Sequence, residues 1–289
     1  AAMPAPDLPV AWVTGAAGLI GHYLVQLAPR HAPGWRVLGL TRADLDLTDL
    51  AALRRRFQAD RPALVIHCAA LSRSPECEAH PALARRLNVD VTAALADLAA
   101  DARLVFFSTD LVFDGRRGHY TETDPPNPLG VYAATKLEAE QAVLAHPRAL
   151  VVRTSLNGGT SLRGDRAFNE QMRLAWQAGR TVRLYTDEFR SPIHAAVTAR
   201  AVWELALQAV TGLCHVAGAE RLSRWEIGRL VAARWPQLQP RLEPGSLRDH
   251  PGPPRPPDTS LDCSRAQARL SFRLPGLTEW LAAHPDEPF

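Results

Sequence analysis

Lysine is almost absent from this chain. Of its 33 basic residues, 32 are arginine and only one, Lys136, is lysine. An arginine keeps its proton and presents a bulky planar fork, whereas a lysine is a compact charge on a flexible stem. The survival of one lysine against this background indicates a position where a guanidinium cannot serve, with chance survival as the alternative.

The features of several other protein classes are also missing. The four cysteines, Cys68, Cys77, Cys214 and Cys263, lie far apart without metal-ligand spacing, which predicts free thiols and no metal site. No apolar run reaches the roughly 18 residues of a membrane span, and the first residues show no signal-peptide pattern. The formal charge of +3 is scattered, without the basic stripe that favours nucleic acid. We therefore expect a cytoplasmic protein whose partners include neither membrane nor nucleic acid.

Short apolar runs alternate with helical patterns through the first half of the chain. The predicted strands cover residues 10–14, 36–40, 63–68, 103–108 and 149–153. The predicted helices cover about 19–27, 49–58, 81–100 and 130–145. This alternation predicts an α/β fold of the Rossmann type, in which right-handed crossovers build a doubly wound parallel sheet covered on both faces.

The alternation weakens after Thr154. A helix is expected near 167–178, and the apolar run 212–218 is expected to rejoin the sheet. Ser223 and Glu226 form the pattern of a capping box, and the proline-rich stretch 251–257 predicts an extended linker. The sequence thus predicts a dinucleotide-binding domain over residues 8–155, with its sheet completed by 190–218. Residues 156–189 and 219–289 are expected to form a smaller C-terminal substrate-binding lobe.

A glycine-rich loop follows the first predicted strand. Gly15 allows a tight turn, Gly18 lets the backbone approach a pyrophosphate, and Gly21 permits close packing of helix and strand. Phosphates bind well at the positive end of the helix that follows. After the second strand the chain offers Thr41 and Arg42 instead of an acid, which favours NADP(H) over NAD(H). A solvated surface arginine is the alternative reading of Arg42.

Tyr132 and Lys136 lie four residues apart, on one face of a predicted helix. A free tyrosine has a pKa of roughly 10, and a nearby cation is expected to lower the pKa of Tyr132 toward the useful range. An exposed helix pair is the alternative. A third group is expected where the strand 103–108 ends, and either Ser108 or Thr109 can bind a substrate carbonyl there.

Together these segments resemble the extended short-chain dehydrogenases/reductases, and within them the dTDP-4-dehydrorhamnose reductase branch. The matching pieces run in order along nearly the whole chain: TGAAGLIG (14–21), STDLVFDG (108–115), YAATKLEAE (132–140), VRTS (152–155), TDEFRSP (186–192) and RPPDTSLD (255–262). The resemblance implies that an NAD(P)H-dependent reductase acts on a 4-keto nucleoside-diphosphate sugar. It also implies that Thr109, Tyr132 and Lys136 form a catalytic triad.

Further site residues follow from the resemblance alone. Asp46 matches the acid that accepts a hydrogen bond from the adenine amino group. Ala69 and Ala70 match the small residues over which the cofactor lies. The remaining implied cofactor contacts are Ala17, Leu19, Ile20, Leu47 and Leu71. The implied substrate contacts are Ser108, Asp110, Leu156 and Arg190, with Arg190 a candidate for the diphosphate.

Three alternatives remain open. Leu111 and Leu156 stand where this branch often has aromatic residues, so the substrate can be another sugar or carbonyl compound. The non-catalytic, NADP-binding regulatory subunit of methionine adenosyltransferase resembles the same branch, and so do NAD-dependent epimerases and dehydratases. The resemblance also implies a homodimer paired through the helices predicted at 81–100 and 130–145.

Overall fold

The computed structural model describes residues 7–289 and has a parallel six-stranded sheet at its centre. The strands are β1 (Val10–Thr14), β2 (Arg36–Leu40), β3 (Leu64–His67), β4 (Arg103–Thr109), β5 (Ala149–Thr154), β6 (Asn157–Gly158), β7 (Val182–Tyr185), β8 (Phe189–Arg190), β9 (Ile193–His194), β10 (Gly212–Val216), β11 (Leu222–Ser223) and β12 (Leu242–Gly245). The sheet order is β10-β5-β4-β3-β1-β2. The order reverses between β1 and β3, which is where doubly wound sheets bind ligands.

Helices cover both faces of this sheet. They are α1 (Leu19–Gln26), α2 (Ala28–His31), α3 (Leu50–Asp60), α4 (Ser74–Ala79), α5 (Pro81–Arg85), α6 (Val91–Leu98), α7 (Val131–Leu144), α8 (Phe168–Gln177), α9 (Ala195–Leu207), α10 (Arg224–Ala232), α11 (Ser264–Gln267) and α12 (Leu277–Ala283). Within residues 7–289, no helix has the length and apolar character needed to cross a bilayer.

Alternate side chains of the central strands enter two different cores. On β1, Ala11 and Val13 pack with α1 and α9, whereas Trp12 packs on the opposite face with α3 and α6. This period of two follows from strand geometry, and full burial on both faces explains the nearly continuous apolar sequence of these strands. The Trp203 indole of α9 is fully buried and donates to the Leu24 carbonyl oxygen of α1 at 3.0 Å.

A third apolar core lies outside the main sheet. It joins α8, α10 and α12, with Trp176, Ile227 and Trp280 among its buried members. Two small sheets brace it, a parallel pair of β7 with β12 and an antiparallel pair of β8 with β11. The tail also returns to the main sheet, since Ala266 of α11 and Leu274 belong to the core around α9.

The predicted Rossmann-type fold is confirmed. β1 and β2 have the predicted bounds, β10 rejoins the sheet beside β5, and Ser223 and Glu226 form the expected capping box. The helix predicted over 81–100 differs, because Arg86–Asp90 forms a π-helical turn between α5 and α6. Helix α9 is absent from the sequence-based prediction, although its alanine-rich sequence favours a helix.

Candidate active site

The glycine loop between β1 and α1 makes a turn that larger residues could not adopt. Gly15 has a φ of +65°, and a Cβ there would come 2.7 Å from the Ala69 nitrogen. A Cβ on Gly21 would overlap the Gly15 carbonyl oxygen. The Gly18 amide donates to that same oxygen at 2.9 Å. The loop therefore packs its backbone directly against the end of β3.

Helix α1 begins at this loop with no side chain capping it. Gly18 is its N-cap residue, and its first turn contains no acid. The first amides of a helix have no partner within the helix, and they favour an anion. The start of α1, including the predicted contacts Leu19 and Ile20, thus offers uncapped donors that fit a pyrophosphate.

Two exposed acids shape the loop after β2. Asp44 accepts hydrogen bonds from the Thr41 amide and hydroxyl, both at 2.8 Å. Asp46 accepts from the Thr48 amide at 2.9 Å and hydroxyl at 2.7 Å. These Thr48 hydrogen bonds, helped by the charge of Arg42, lower the pKa of Asp46. Arg42 itself is exposed and has no carboxylate partner among the described residues, so its guanidinium remains available to a ligand.

Backbone at the ends of β1 and β3 is held by buried side chains. The Thr14 hydroxyl accepts from the amides of Cys68 and Ala69. The Asn88 side-chain oxygen accepts from the Leu71 amide at 2.8 Å, and its nitrogen donates to the Leu71 carbonyl at 3.0 Å. Asn88 lies in the π-helical turn, and sequence reasoning missed it. The available signal was a polar residue within an apolar helical run.

Tyr132 lies in the first turn of α7, facing Thr109 at the end of β4. Burial raises the pKa of the Tyr132 phenol to about 12, and the charges of Asp110 and Cys77 act in the same direction. The neighbouring Thr109 hydroxyl and the positive charge of Arg190 oppose this rise. At neutral pH the phenol therefore keeps its proton.

Lys136 is buried one turn further along α7, with only 4% of its surface exposed. Its Nζ lies 4.2 Å from the centroid of the Phe106 ring, a cation–π contact. Burial lowers the pKa of Lys136 to about 8. The alternative of an exposed helix pair is therefore wrong.

One expectation about this pair differs from the structure. The charge of Lys136 was expected to lower the pKa of Tyr132, but the nearby cation that acts on the phenol is Arg190. Lys136 does not lower the pKa of Tyr132 because its Nζ lies over the Phe106 ring, near the thiol of Cys68.

Asp110 joins the two halves of the molecule. Its carboxylate is fully buried and accepts two hydrogen bonds from Arg190, at 2.6 and 2.7 Å. It also accepts from the hydroxyls of Ser155 and Thr259, each at 2.9 Å. The expectation that Asp110 contacts substrate is wrong, because its oxygens are enclosed by these partners. Arg190 spends its Nε and one terminal nitrogen on Asp110, which makes it a weaker diphosphate candidate than expected.

The other two predicted substrate contacts differ in environment. The Ser108 hydroxyl is buried at the end of β4 and has no hydrogen-bond partner in the described part of the chain. Such an orphaned hydroxyl fits a ligand that supplies the partner. Leu156, by contrast, packs against the core of the C-terminal lobe.

A cavity of about 550 Å³ opens beside Tyr132. Leu111 and Glu78 line one side, and the proline-rich segment 253–256 forms another wall. Glu188, which also lines the cavity, accepts from Arg224 at 2.9 Å and from Arg255 at 2.6 and 2.8 Å. Three arginines, Arg190, Arg224 and Arg255, therefore line this cavity together with the carboxylates of Glu78 and Glu188, and Asp110 pairs with Arg190.

Comparison with known proteins identifies the family. The model of the RmlD substrate binding domain matches residues 11–287. The chain belongs to this family. It is 37% identical to a dTDP-4-dehydrorhamnose reductase of Mycobacterium tuberculosis, over 94% of this chain and 90% of the relative. The predicted membership in the extended short-chain dehydrogenases, in the dTDP-4-dehydrorhamnose reductase branch, is confirmed.

Two further matches are informative. A methionine adenosyltransferase 2 subunit beta of Danio rerio is 31% identical, with 88% of this chain and 83% of the relative covered. The crystal structure of a hypothetical dTDP-4-dehydrorhamnose reductase from Sulfolobus tokodaii has a TM-score of 0.83 and 30% identity. That match covers 93% of this chain and 97% of the other. The proteins similar to this chain thus include one named as a reductase and one named as a subunit of another enzyme.

Proposed function

We propose that this RmlD-family protein is an NAD(P)H-dependent reductase of a 4-keto sugar carried on a nucleoside diphosphate. The observation that carries the proposal is the position of Tyr132, with Thr109 next to it, at a cavity that three arginines also line. The hydroxyls suit a carbonyl oxygen, and guanidinium groups bind phosphates in bidentate fashion. The oxidoreductase class agrees with the reductase relatives of the chain.

The proton-transfer chemistry follows from the environment of Tyr132. A bound nicotinamide cofactor would supply a hydride to the ketone carbon. Tyr132 donates its proton to the ketone oxygen, and its pKa of about 12 ensures that the proton is present at neutral pH. Thr109 hydrogen-bonds the same oxygen and orients it. Lys136, buried one turn further along α7, would hold the ribose of the cofactor through its ammonium group.

The diphosphate of the substrate is assigned to Arg224 and Arg255. Arg224 uses only its Nε for Glu188, which leaves both terminal nitrogens for a ligand. Arg255 donates its Nε and one terminal nitrogen to the same carboxylate, which leaves its other terminal nitrogen for the ligand and makes it the secondary contact. Arg190 also lines the cavity, but its pair with Asp110 offsets its charge. Residues 156–189 and 219–289 are accordingly proposed as the lobe that grips the sugar nucleotide.

NADP(H) is the proposed cofactor, with NAD(H) as the alternative. Gly15 and the uncapped start of α1 would bind the pyrophosphate, and exposed Arg42 would bind the 2′-phosphate. Asp46 is ionised and exposed, so it can accept from the adenine amino group. Ala17, Leu47, Ala69, Ala70 and Leu71 remain proposed contacts.

We also propose a homodimer, paired through α5, α6 and α7, and a cytoplasmic location. The four free cysteines support a reducing compartment. Sedimentation at micromolar concentration tests the dimer, and a monomer would contradict it.

A panel of nucleotide-sugar ketones, followed by NADPH absorbance, tests the reaction. We expect turnover of a 4-keto substrate, and Arg224→Gln should raise its KM about tenfold with little change in kcat. The exposed Arg229→Gln is the matched control from the same helix. Consumption of no ketone in the panel would contradict the proposal.

A second function is favoured by the match to the methionine adenosyltransferase subunit. Under this alternative the protein binds NADP and a partner chain without turnover. A stable complex with a methionine adenosyltransferase catalytic chain, together with an inactive panel, would establish it. Retained NAD without net NADPH consumption would instead indicate an epimerase or dehydratase.

A further inference from the structure

A second cavity, of about 730 Å³, lies away from the reaction site. It is bounded by α1 and α2, by the start of α9, and by tail residues 272–287. It shares no lining residue with the cavity beside Tyr132, and none of the proposed cofactor contacts lines it. Neither the family resemblance nor the proposed reaction uses this cavity.

An unpaired imidazole donor lies in its wall. His194 is 4% exposed, and its Nδ1 accepts from the Ala196 amide at 3.0 Å. Burial lowers the pKa of His194 to about 3, so the ring is neutral and carries its proton on Nε2. Across residues 7–289, no group accepts a hydrogen bond from this Nε2. A nine-tenths-buried side chain thus presents an unused donor.

The Tyr23 hydroxyl is a second donor, and it lies beside Gly159 close to Nε2 of His194. The Tyr23 hydroxyl oxygen accepts from the Thr160 amide at 3.0 Å, and no acceptor for its own proton is found in the described chain. A Cβ on Gly159 would lie 3.0 Å from this oxygen and 3.3 Å from Nε2 of His194. Because residue 159 is a glycine, both donors remain uncovered by a side chain.

The rim of the cavity is mainly positive. Arg30, Arg200 and Arg273 line it, against the single carboxylate of Glu287. Arg200 and Arg273 have outside partners in Glu204 and Glu279, whereas Arg30 has no ion pair among the described side chains. Partial burial lowers the pKa of His31, and the charges of Arg30 and Arg200 act in the same direction. Donors and positive charge without matching acceptors are the chemistry of an anion site.

We propose that this cavity binds a small organic phosphate. Tyr23 and the Nε2 proton of His194 would donate to the phosphoryl oxygens, and Arg30 would supply the countercharge. Trp280, stacked on His194 at 3.9 Å, provides an apolar wall for the organic part. The cavity has room for a sugar phosphate, which is why we assign an organic phosphate instead of a simple carboxylate. The assignment is independent of the reaction proposed above.

Calorimetry on NADPH-saturated protein tests the site, with inorganic phosphate, a hexose 1-phosphate and acetate as separate probes. We expect the hexose phosphate to bind most tightly. Tyr23→Phe and Arg30→Gln should each weaken its binding at least about fivefold. Tyr185→Phe is the matched control, because its hydroxyl contacts His250 outside this cavity, and it should leave the affinity within about twofold.

Three results would overturn the proposal. The first is no heat from any phosphate, and the second is acetate binding as tightly as the hexose phosphate. The third is binding that survives Tyr23→Phe but is lost in Arg224→Gln, which would place the ligand beside Tyr132. Because cofactor turnover is not measured, failure here leaves the reductase proposal untouched.

Discussion

The two sides of the proposed active site are held together in different ways. The cofactor side, formed by residues 14–21, 69–71, Asn88 and Lys136, relies on backbone packing, neutral hydrogen bonds and one buried ammonium. The lobe side, formed by Asp110, Glu188, Arg190, Arg224 and Arg255, relies on ion pairs. Substitutions that change the shape of a side chain should therefore do most damage on the cofactor side. Substitutions that remove a charge should do most damage on the lobe side.

Asp110→Asn should give the largest effect, on the lobe side. Removing the charge leaves Arg190 buried and uncompensated, and breaking a buried pair in this way costs about 3–5 kcal/mol of unfolding free energy. Urea unfolding of the variant and the unsubstituted protein measures this loss of unfolding free energy. Glu138→Gln, in an exposed pair with Arg85, is the control and should cost about 1 kcal/mol or less. If Asp110→Asn and Glu138→Gln lost equal amounts of unfolding free energy, the buried ion pair would contribute no more to stability than the exposed one, which would contradict this account.

Lys136→Met should stabilise the protein at pH 7. Burial lowers the pKa of Lys136 from 10.5 to about 8, so between these values the unfolded chain binds more protons than the folded one. The resulting penalty is fully present below pH 8 and fades as the pH rises to 10.5. It amounts to about 3 kcal/mol. Thermal unfolding from pH 7 to 10 should show the advantage of the methionine variant shrinking, and a constant difference would contradict the buried charge.

Lys136→Arg tests shape on the cofactor side. The planar guanidinium should not fit the slot between Phe106 and Cys68, so activity should fall roughly a hundredfold, nearly as far as in Lys136→Ala. Single-turnover rates and cofactor dissociation constants compare the variants. If Lys136→Arg retained more than about a third of the activity, position 136 would not require lysine, and its presence there would be due to chance.

The cofactor side could be predicted from the sequence more fully than the lobe side. The glycine loop and the Tyr132–Lys136 pair are visible because their geometry is local, set by a turn or by one helix face. Asp110 is separated in sequence from its partner Arg190 by 80 residues and from its partner Thr259 by 149. No spacing pattern in the sequence therefore reveals these hydrogen bonds. Arg224 and Arg255 were missed as site residues for the same reason. The pKa of Tyr132 likewise depends on burial and on Asp110, which local spacing cannot show.

Arg42→Ala gives the smallest expected effect. The exposed guanidinium should contribute about 1.5–3 kcal/mol to NADPH binding and almost nothing to NADH binding. Fluorescence titration with both cofactors measures the difference, and Arg36→Ala, an exposed arginine at the start of β2, serves as control. Equal losses for the two cofactors would show that Arg42 does not bind the 2′-phosphate.

The single-turnover rate of Tyr132→Phe tests the central claim most directly. The substitution removes only the phenolic hydroxyl, so the fold and NADPH affinity should be retained. The rate on a nucleotide-sugar ketone should fall at least about a hundredfold, the range expected for loss of a general acid. A rate within about tenfold of the unsubstituted protein would contradict the assignment of Tyr132 as the proton donor.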